Sequence, residues 1–478
     1  MNNYSIKYSI ILFIITQFIV NIIYCKYIPG KTLNFTQKGK VDEYLGIPYA
    51  KPPVGSLRFM PPVKADYPNT TVNASNLAKS CPQYLFNTSV YALDYWNPPN
   101  DFSEDCLQFN MWVPENKTGA VFVMFCGASY YRLGASSDVY NGSVLAAYSR
   151  AIIITLNFRL GALGFGRFKG TNVTGNMGLL DQQLGLQWIK DHISDYGGDP
   201  KKVTIMGEQT GASSVEAHLY SEGSKELFKR IAVSSGTLEN PWASRTNEYV
   251  EKKSSKLSEL LGCGNGSDEL NACKLNLTSE PITGDCKLTK ENFTYVVDKV
   301  AKLYGKDEKW KENVSQTYSV TDNNATVGAQ SFLSSFLFDC GLIQFADKHA
   351  KVSSKNKSYV YILDHRSIER RTSWPKSFGT IHAGIVEYLF GRPFRYPDHY
   401  YDHNKTLIEQ VMSRKVMELY GHFVAKGTPD KEDWKPYDIE DKFVLNLNNS
   451  YRRENYKPDM SRFERCEWLV KPFENEIQ

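Results

Sequence analysis

The stretch Val203-Thr-Ile-Met-Gly-Glu-Gln-Thr-Gly-Ala-Ser-Ser214 constrains this chain more than any other. An apolar run meets a glycine, a second glycine closes a tight interval, and small residues continue behind it. Such a pattern demands a strand, a sharp turn and a helix packed back on the strand, with glycine where the two backbones meet. It has the shape of a nucleophile elbow, G-x-S-x-G, whose turn lifts a serine hydroxyl above a sheet. Gly207 and Gly211 are in place, but the residue between them is Gln209. A glutamine amide has no proton that can be removed near neutral pH to make a nucleophile. The motif keeps its backbone and lacks its chemistry.

Other buried-strand runs frame the elbow. Ala120-Val-Phe-Val-Met-Phe125, Ala151-Ile-Ile-Ile-Thr-Leu156 and Tyr359-Val-Tyr-Ile-Leu363 read as strands, and Tyr44-Leu-Gly-Ile-Pro-Tyr-Ala50 as a shorter one. Residues 179–193 read as an amphipathic crossover helix, residues 227–275 and 287–350 as mostly helical, and residues 407–426 as another amphipathic helix. Strands alternating with helices imply an α/β fold with a central, mostly parallel sheet flanked by helices, and a helical subdomain after about residue 240. No repeat, low-complexity tract or linker divides the chain, so residues 26–478 are expected to form one large domain.

Composition bears on the compartment. Lys7 followed by Ile10-Ile-Leu-Phe-Ile-Ile-Thr-Gln-Phe-Ile-Val20 makes residues 1–25 a secretory signal peptide, with Ile23-Tyr-Cys25 as the cleavage region. No hydrophobic tail for a lipid anchor stands at the C-terminal end of the sequence. Eight cysteines follow residue 25, an even number that suits disulfide pairing. Fifteen N-x-S/T sequons stand at Asn34, Asn69, Asn73, Asn87, Asn116, Asn141, Asn172, Asn265, Asn276, Asn292, Asn313, Asn324, Asn356, Asn404 and Asn448. Each used sequon must lie on the surface of a protein that passes the secretory route. A net charge of +4 with interspersed signs favours neither nucleic acid nor a membrane surface as partner. The residues suggest no metal and no cofactor.

Phrases spread over most of the chain resemble the type-B carboxylesterase/cholinesterase family of the α/β-hydrolase fold. They are Leu45-Gly-Ile-Pro-Tyr-Ala50, Pro52-Pro-Val-Gly55, Ser103-Glu-Asp-Cys-Leu107, Asp138-Val-Tyr-Asn-Gly142, Asn157-Phe-Arg-Leu-Gly-Ala-Leu-Gly-Phe165, Gly178-Leu-Leu-Asp-Gln182, Leu186-Gln-Trp-Ile189, Gly197-Gly-Asp-Pro200, Ser234-Ser-Gly236 and Pro241-Trp-Ala-Ser244. The resemblance implies disulfides Cys81–Cys106, Cys263–Cys273 and Cys340–Cys466, with Cys126 and Cys286 left over. It implies structural ion pairs Arg58–Glu104 and Arg159–Asp181. It also places Trp96, in Tyr95-Trp-Asn-Pro98, where cholinesterases bind choline. The indole is then either a cation–π platform for a quaternary ammonium or an aromatic that packs its own loop. Glu208 either keeps a negative charge near such a ligand or hydrogen-bonds within the elbow.

Family catalysis needs a serine, an acid and a histidine in that order, with backbone donors for the oxyanion. Gln209 holds the serine position. His382, in Trp374-Pro-Lys-Ser-Phe-Gly-Thr-Ile-His382, holds the histidine position. The acid is not identified: the chain from Gln209 to His382 is shorter than in the family, a segment is missing near residues 280–290, and Asp285 and Glu291 flank the junction. The glycine triplet expected in the oxyanion loop reads Cys126-Gly-Ala-Ser129, so Gly127, Ala128 and Thr210 are the oxyanion-loop positions. Three departures at one site favour a secreted, glycosylated, non-catalytic cholinesterase-like protein that binds a protein or small ligand. A weak or divergent ester hydrolase, with Thr210, Ser213 or Ser214 as nucleophile, and a protein that sequesters choline esters are the alternatives. Residues 407–426 and 461–475 are the helices through which a homodimer would form.

Overall fold

Val121-Phe-Val-Met-Phe125 shows how the apolar runs build the fold. The computed structural model describes residues 27–66, 70–86, 94–261, 288–352, 357–369, 379–400, 402–429, 434–448 and 460–470. In it this run is a strand, and successive side chains of a strand point to opposite faces. Phe122 and Met124 enter one core, while Val121, Val123 and Phe125 enter the other. The run is apolar throughout because both faces are covered.

Seven strands form the central sheet: β1 (Lys31–Phe35), β2 (Gly39–Pro48), β3 (Gln108–Pro114), β4 (Val121–Phe125), β5 (Ile152–Leu156), β6 (Val203–Glu208) and β7 (Arg230–Ser234). Their order is β1-β2-β3-β5-β4-β6-β7. The pairs β1/β2, β2/β3 and β3/β5 are antiparallel, and β5/β4, β4/β6 and β6/β7 are parallel. The sheet is therefore mixed, with β5, β4, β6 and β7 as its run of parallel neighbours. The tight connection from β1 to β2 allows only antiparallel pairing, because a parallel crossover needs a dozen or more residues. A correction concerns residues 227–275, expected to be mostly helical: β7 opens that stretch. Its five residues, four half-buried and Ser234 buried, are too few to impose a periodicity, and pairing with β6 makes them a strand. Tyr44 belongs to β2, which is longer than the short strand expected there.

Helix α1 (Met177–His192) carries the crossover into β6 and buries Leu186 and Ile189. Helix α2 (Thr210–Tyr220) follows the elbow. A separate core joins α3 (Lys290–Leu303), α4 (Glu308–Tyr318), α5 (Ala325–Val352) and α7 (Met460–Leu469) around Phe293, Trp310, Phe332 and Phe336. This is the helical subdomain, and Cys340–Cys466 ties α5 to α7 inside it. Helix α6 (His403–Lys426) packs Met412, Val416 and Met417 into the core that also holds Phe122 and Met124. Two short strands, β8 (Val360–Leu363) and β9 (Val444–Leu447), pair in parallel. Cys81–Cys106 is bonded, and Cys126 is a buried free thiol whose pKa burial drives upward. The signal peptide, Cys263–Cys273, Cys286, Asp285, most of the 280–290 junction and the sequons Asn69, Asn87, Asn265, Asn276 and Asn356 lie outside the described residues.

Arg159 locks the turn after β5 onto α1. Its guanidinium donates to both carboxylate oxygens of Asp181 at 2.8 and 2.7 Å, and Nη1 donates to the Met60 carbonyl at 2.7 Å. Both side chains are excluded from water. Arg159→Leu leaves the Asp181 charge buried and unpaired, so it is expected to destabilise the fold by about 3–5 kcal/mol in urea unfolding. Adding Asp181→Leu should restore most of that loss; no restoration would contradict the ion-pair account.

Candidate functional site

Close backbone contact dictates the elbow. A Cβ on Gly207 would lie 1.9 Å from the carbonyl carbon of Gly211, and one on Gly236 would lie 2.3 Å from the carbonyl oxygen of Gln209. No side chain fits at either position. Between β6 and α2, Gln209 adopts φ 53°, ψ −113°, a region that costs an ordinary residue roughly 1–3 kcal/mol. Surrounding hydrogen bonds hold it there. Gln209 N donates to the Ser234 carbonyl at 2.9 Å, and its own carbonyl accepts from Ala212 and Ser213 at 3.1 Å each.

The turn aims the Gln209 side chain at the loop after β4. Its Oε1 accepts a hydrogen bond from the Ser129 backbone N–H at 2.8 Å, and the Ser129 hydroxyl lies 3.4 Å from Nε2. Ser129 was not among the donors expected from the sequence. Ala128 was, but its N–H is committed to the Arg132 carbonyl at 2.8 Å in a local antiparallel bridge. Gly127 contributes its carbonyl, 3.5 Å from Thr210 Oγ1, and Thr210 Oγ1 in turn accepts from Tyr130 N at 3.2 Å. Ser129, Tyr130 and Leu133 have φ of 55°, 60° and 69°. The loop thus holds a left-handed path without glycine at these positions, at a cost of order 1 kcal/mol each. The signal that could have pointed to Ser129 was its place as the third residue of the altered glycine triplet.

The neighbouring hydroxyls face inward. Thr210, Ser213 and Ser214 are buried, and Ser213 and Ser214 each donate to the Thr210 carbonyl, at 3.1 and 2.9 Å. Ser213 Oγ also meets Tyr130 Oη at 2.8 Å. None is offered to a substrate.

His382 lies close to the elbow. Its ring stacks on Phe338 with centroids 4.4 Å apart, and Phe338 is placed there by a π-helical turn, Ser335–Asp339, within α5. That turn frees the Phe338 and Leu337 carbonyls to accept from Asn240 Nδ2 and Trp242 Nε1 at 3.1 and 2.6 Å. Desolvation lowers the His382 pKa to about 4, an effect tempered by the 41 % of its side chain that stays accessible. Among the described residues Glu208 is the one carboxylate within ion-pair range, with Oε1 3.9 Å from His382 Nε2. A triad acid holds Nδ1 and leaves Nε2 for the nucleophile. Glu208 approaches the opposite nitrogen, beyond hydrogen-bond length. Glu291 is exposed in the first turn of α3.

Burial raises Glu208 to about 7, moderated by the Ser234 and Ser235 hydroxyls, yet neither carboxylate oxygen has a partner in hydrogen-bond geometry. At neutral pH the pair is therefore a neutral imidazole beside a carboxyl close to half protonation. Trp96 lies in the loop closed by Cys81–Cys106. It is half-buried, its ring 5.1 Å from that of Tyr95. Its loop is pinned by Asn97 Nδ2 donating to the Phe86 carbonyl at 2.7 Å and by Tyr95 Oη donating to Glu387 at 2.5 Å. The geometry thus joins Gln209, Ser129, Thr210, Gly127, Glu208 and His382 in one cluster, and Trp96 packs, like Ala128 of the loop after β4, against the core that holds Cys126 and Met206. Among the described residues no three metal-ligating side chains converge.

Comparison with known proteins gives this architecture relatives. The model of the carboxylesterase family matches residues 17–299 and 286–464. The chain is 29% identical to acetylcholinesterase 4 of Caenorhabditis briggsae over 519 residues, covering 89% of this chain and 84% of that protein. It is 30% identical to acetylcholinesterase of Bungarus fasciatus and 28% identical to cholinesterase of Mus musculus, in each case over 86% of this chain and 80% of the relative.

The buried carboxyl of Glu208 makes a testable contribution to stability. A carboxyl whose folded pKa is raised favours folding fully below its unfolded value near 4.5 and loses that contribution as pH rises through about 7. Glu208→Gln is isosteric and stays neutral. In denaturant titrations it should exceed wild type at pH 8 by up to about 3 kcal/mol and match it below pH 4.5. A gap independent of pH would contradict the assignment.

Proposed function

The chain belongs to the carboxylesterase family, and from that premise we propose that it is a secreted, glycosylated, non-catalytic relative of the cholinesterases that acts by binding. The observation that carries this reading is the Gln209 amide. It stands where a nucleophile would stand, and its oxygen takes the Ser129 N–H at 2.8 Å, a donor that would otherwise face a substrate carbonyl. The elbow is occupied by its own side chain.

Further observations support the reading. Among the described residues, the one carboxylate in ion-pair range of His382 approaches the wrong nitrogen, at 3.9 Å. The family match falls into two stretches that overlap at residues 286–299, beside the junction where the sequence reads as lacking the segment that carries the acid. Secretion is supported by the apolar run Ile10–Val20, by the disulfides Cys81–Cys106 and Cys340–Cys466, and by the sequons. Asn34, Asn73, Asn116, Asn172, Asn292, Asn324 and Asn404 are exposed, and Asn141, Asn313 and Asn448 are partly so.

The ligand is a protein surface or a small molecule. Relatives named for acetylcholine make a quaternary ammonium the small-molecule class to test, with the half-buried Trp96 ring as its contact. Calorimetry with choline on wild type and Trp96→Ala separates the two classes. Binding lost in the variant assigns the small cation, and no binding leaves the protein surface.

Purified protein is expected to hydrolyse acetylthiocholine and p-nitrophenyl acetate no faster than its His382→Ala variant. Gln209→Ser should remain inactive, because a serine placed on this turn still faces a histidine that has no acid on Nδ1 among the described residues. Turnover by wild type that His382→Ala abolishes, or cholinesterase-like activity in Gln209→Ser, would establish a hydrolase instead.

A further inference from the structure

We infer that Asn404 carries an N-linked glycan whose task is to cover an aliphatic stripe on α6. The inference rests on the secretory part of the reading above and goes beyond it, because it gives one modification a physical role.

Helix α6 buries Thr406, Glu409, Met412, Ser413 and Val416 on its inner face. Its outer face is unusual for a surface helix. Leu407, Ile408 and Val411 are 44%, 44% and 58% exposed. Asn404 is exposed as well and precedes them at i+3, i+4 and i+7 spacing, so all four share one face of the helix. Asp402 caps the helix by accepting from Lys405 N at 2.9 Å, which fixes Asn404 in the first turn at the head of the stripe. Asn404-Lys-Thr406 is an N-glycosylation acceptor.

None of the hydrogen bonds of the described residues uses the Asn404 side chain. Two other exposed sequon amides are engaged: Asn292 Oδ1 accepts from Thr289 N at 2.9 Å, and Asn324 Oδ1 from Thr321 N at 2.6 Å. Clustered exposed aliphatics are a self-association surface. A bulky hydrophilic glycan rooted in the same stripe solvates it and excludes a second copy of the chain from it. The large apolar residues most exposed elsewhere on helices, Leu260, Leu303 and Val352, stand singly at helix ends.

The test uses protein secreted from eukaryotic cells. Glycopeptide mass spectrometry reads occupancy at Asn404, while light scattering after size exclusion and binding of the dye ANS read the exposed surface. Asn404 is expected to be modified. Asn404→Gln should shift the protein to larger, concentration-dependent species with raised ANS fluorescence, and Asn404→Gln/Leu407→Glu/Val411→Glu should return it to the wild-type profile. Wild-type protein trimmed with an endoglycosidase gives the same readout without a variant that has to fold. Unmodified peptides at every sequon would overturn the secretory reading and this inference with it. Modification elsewhere with Asn404 bare would overturn the inference alone. So would Asn404→Gln and trimmed protein that both match wild type, or a wild-type dimer, glycosylated at Asn404, that Leu407→Glu/Val411→Glu dissociates.

Discussion

Backbone approach at the elbow is the constraint on which the rest of the structure depends. Gly207 and Gly211 let α2 start directly on β6, and Gly236 lets the segment after β7 pass against Gln209. That packing orders the parallel half of the sheet, since β4, β6 and β7 meet in register there. It also forces Gln209 into positive φ. The strain is a property of the packing, so it persists whichever side chain stands at the position.

Glutamine turns that geometry to a different use. In a hydrolase the strained turn presents a hydroxyl to substrate, and loop amides wait for an oxyanion. Here the side chain spans the gap itself and consumes the Ser129 donor, while Ala128 closes a local bridge with Arg132. An unfilled donor in this partly buried cluster would be a liability, and the amide removes it. His382 stacks on Phe338, and among the described residues no acid holds its Nδ1. The buried Glu208 carboxyl, free of hydrogen-bond partners among the described residues, is the one group in the cluster left under electrostatic tension.

Much of this was legible in the sequence because it is local. The runs ending at Phe125 and Leu156 declare buried strands by composition alone, and the Gly207–Gly211 interval declares the turn. Gln209 puts an amide where the motif has a hydroxyl, which one residue type makes plain. What escaped depends on contacts distant in sequence. Ser129 as donor follows from where the elbow aims a side chain 80 residues away, and Phe338 reaches His382 only because α5 carries a π-helical turn. The antiparallel pairing of β1, β2 and β3 is not legible in the sequence, because such strands look no different from parallel ones when read singly. β7 was missed because a five-residue strand needs its neighbour to exist. Trp96 sits in a recognisable phrase, but its ring contact with Tyr95, which donates to Glu387, is again a matter of tertiary packing.

Phosphonylation is the most direct measurement of whether this site retains a nucleophile, because an organophosphate traps any activated hydroxyl irrespective of the natural substrate. Purified protein incubated with a fluorophosphonate probe and analysed by peptide mass mapping is predicted to carry no adduct at the elbow or its loop. A stoichiometric adduct on Ser129, Thr210, Ser213 or Ser214 that disappears in His382→Ala would contradict the account.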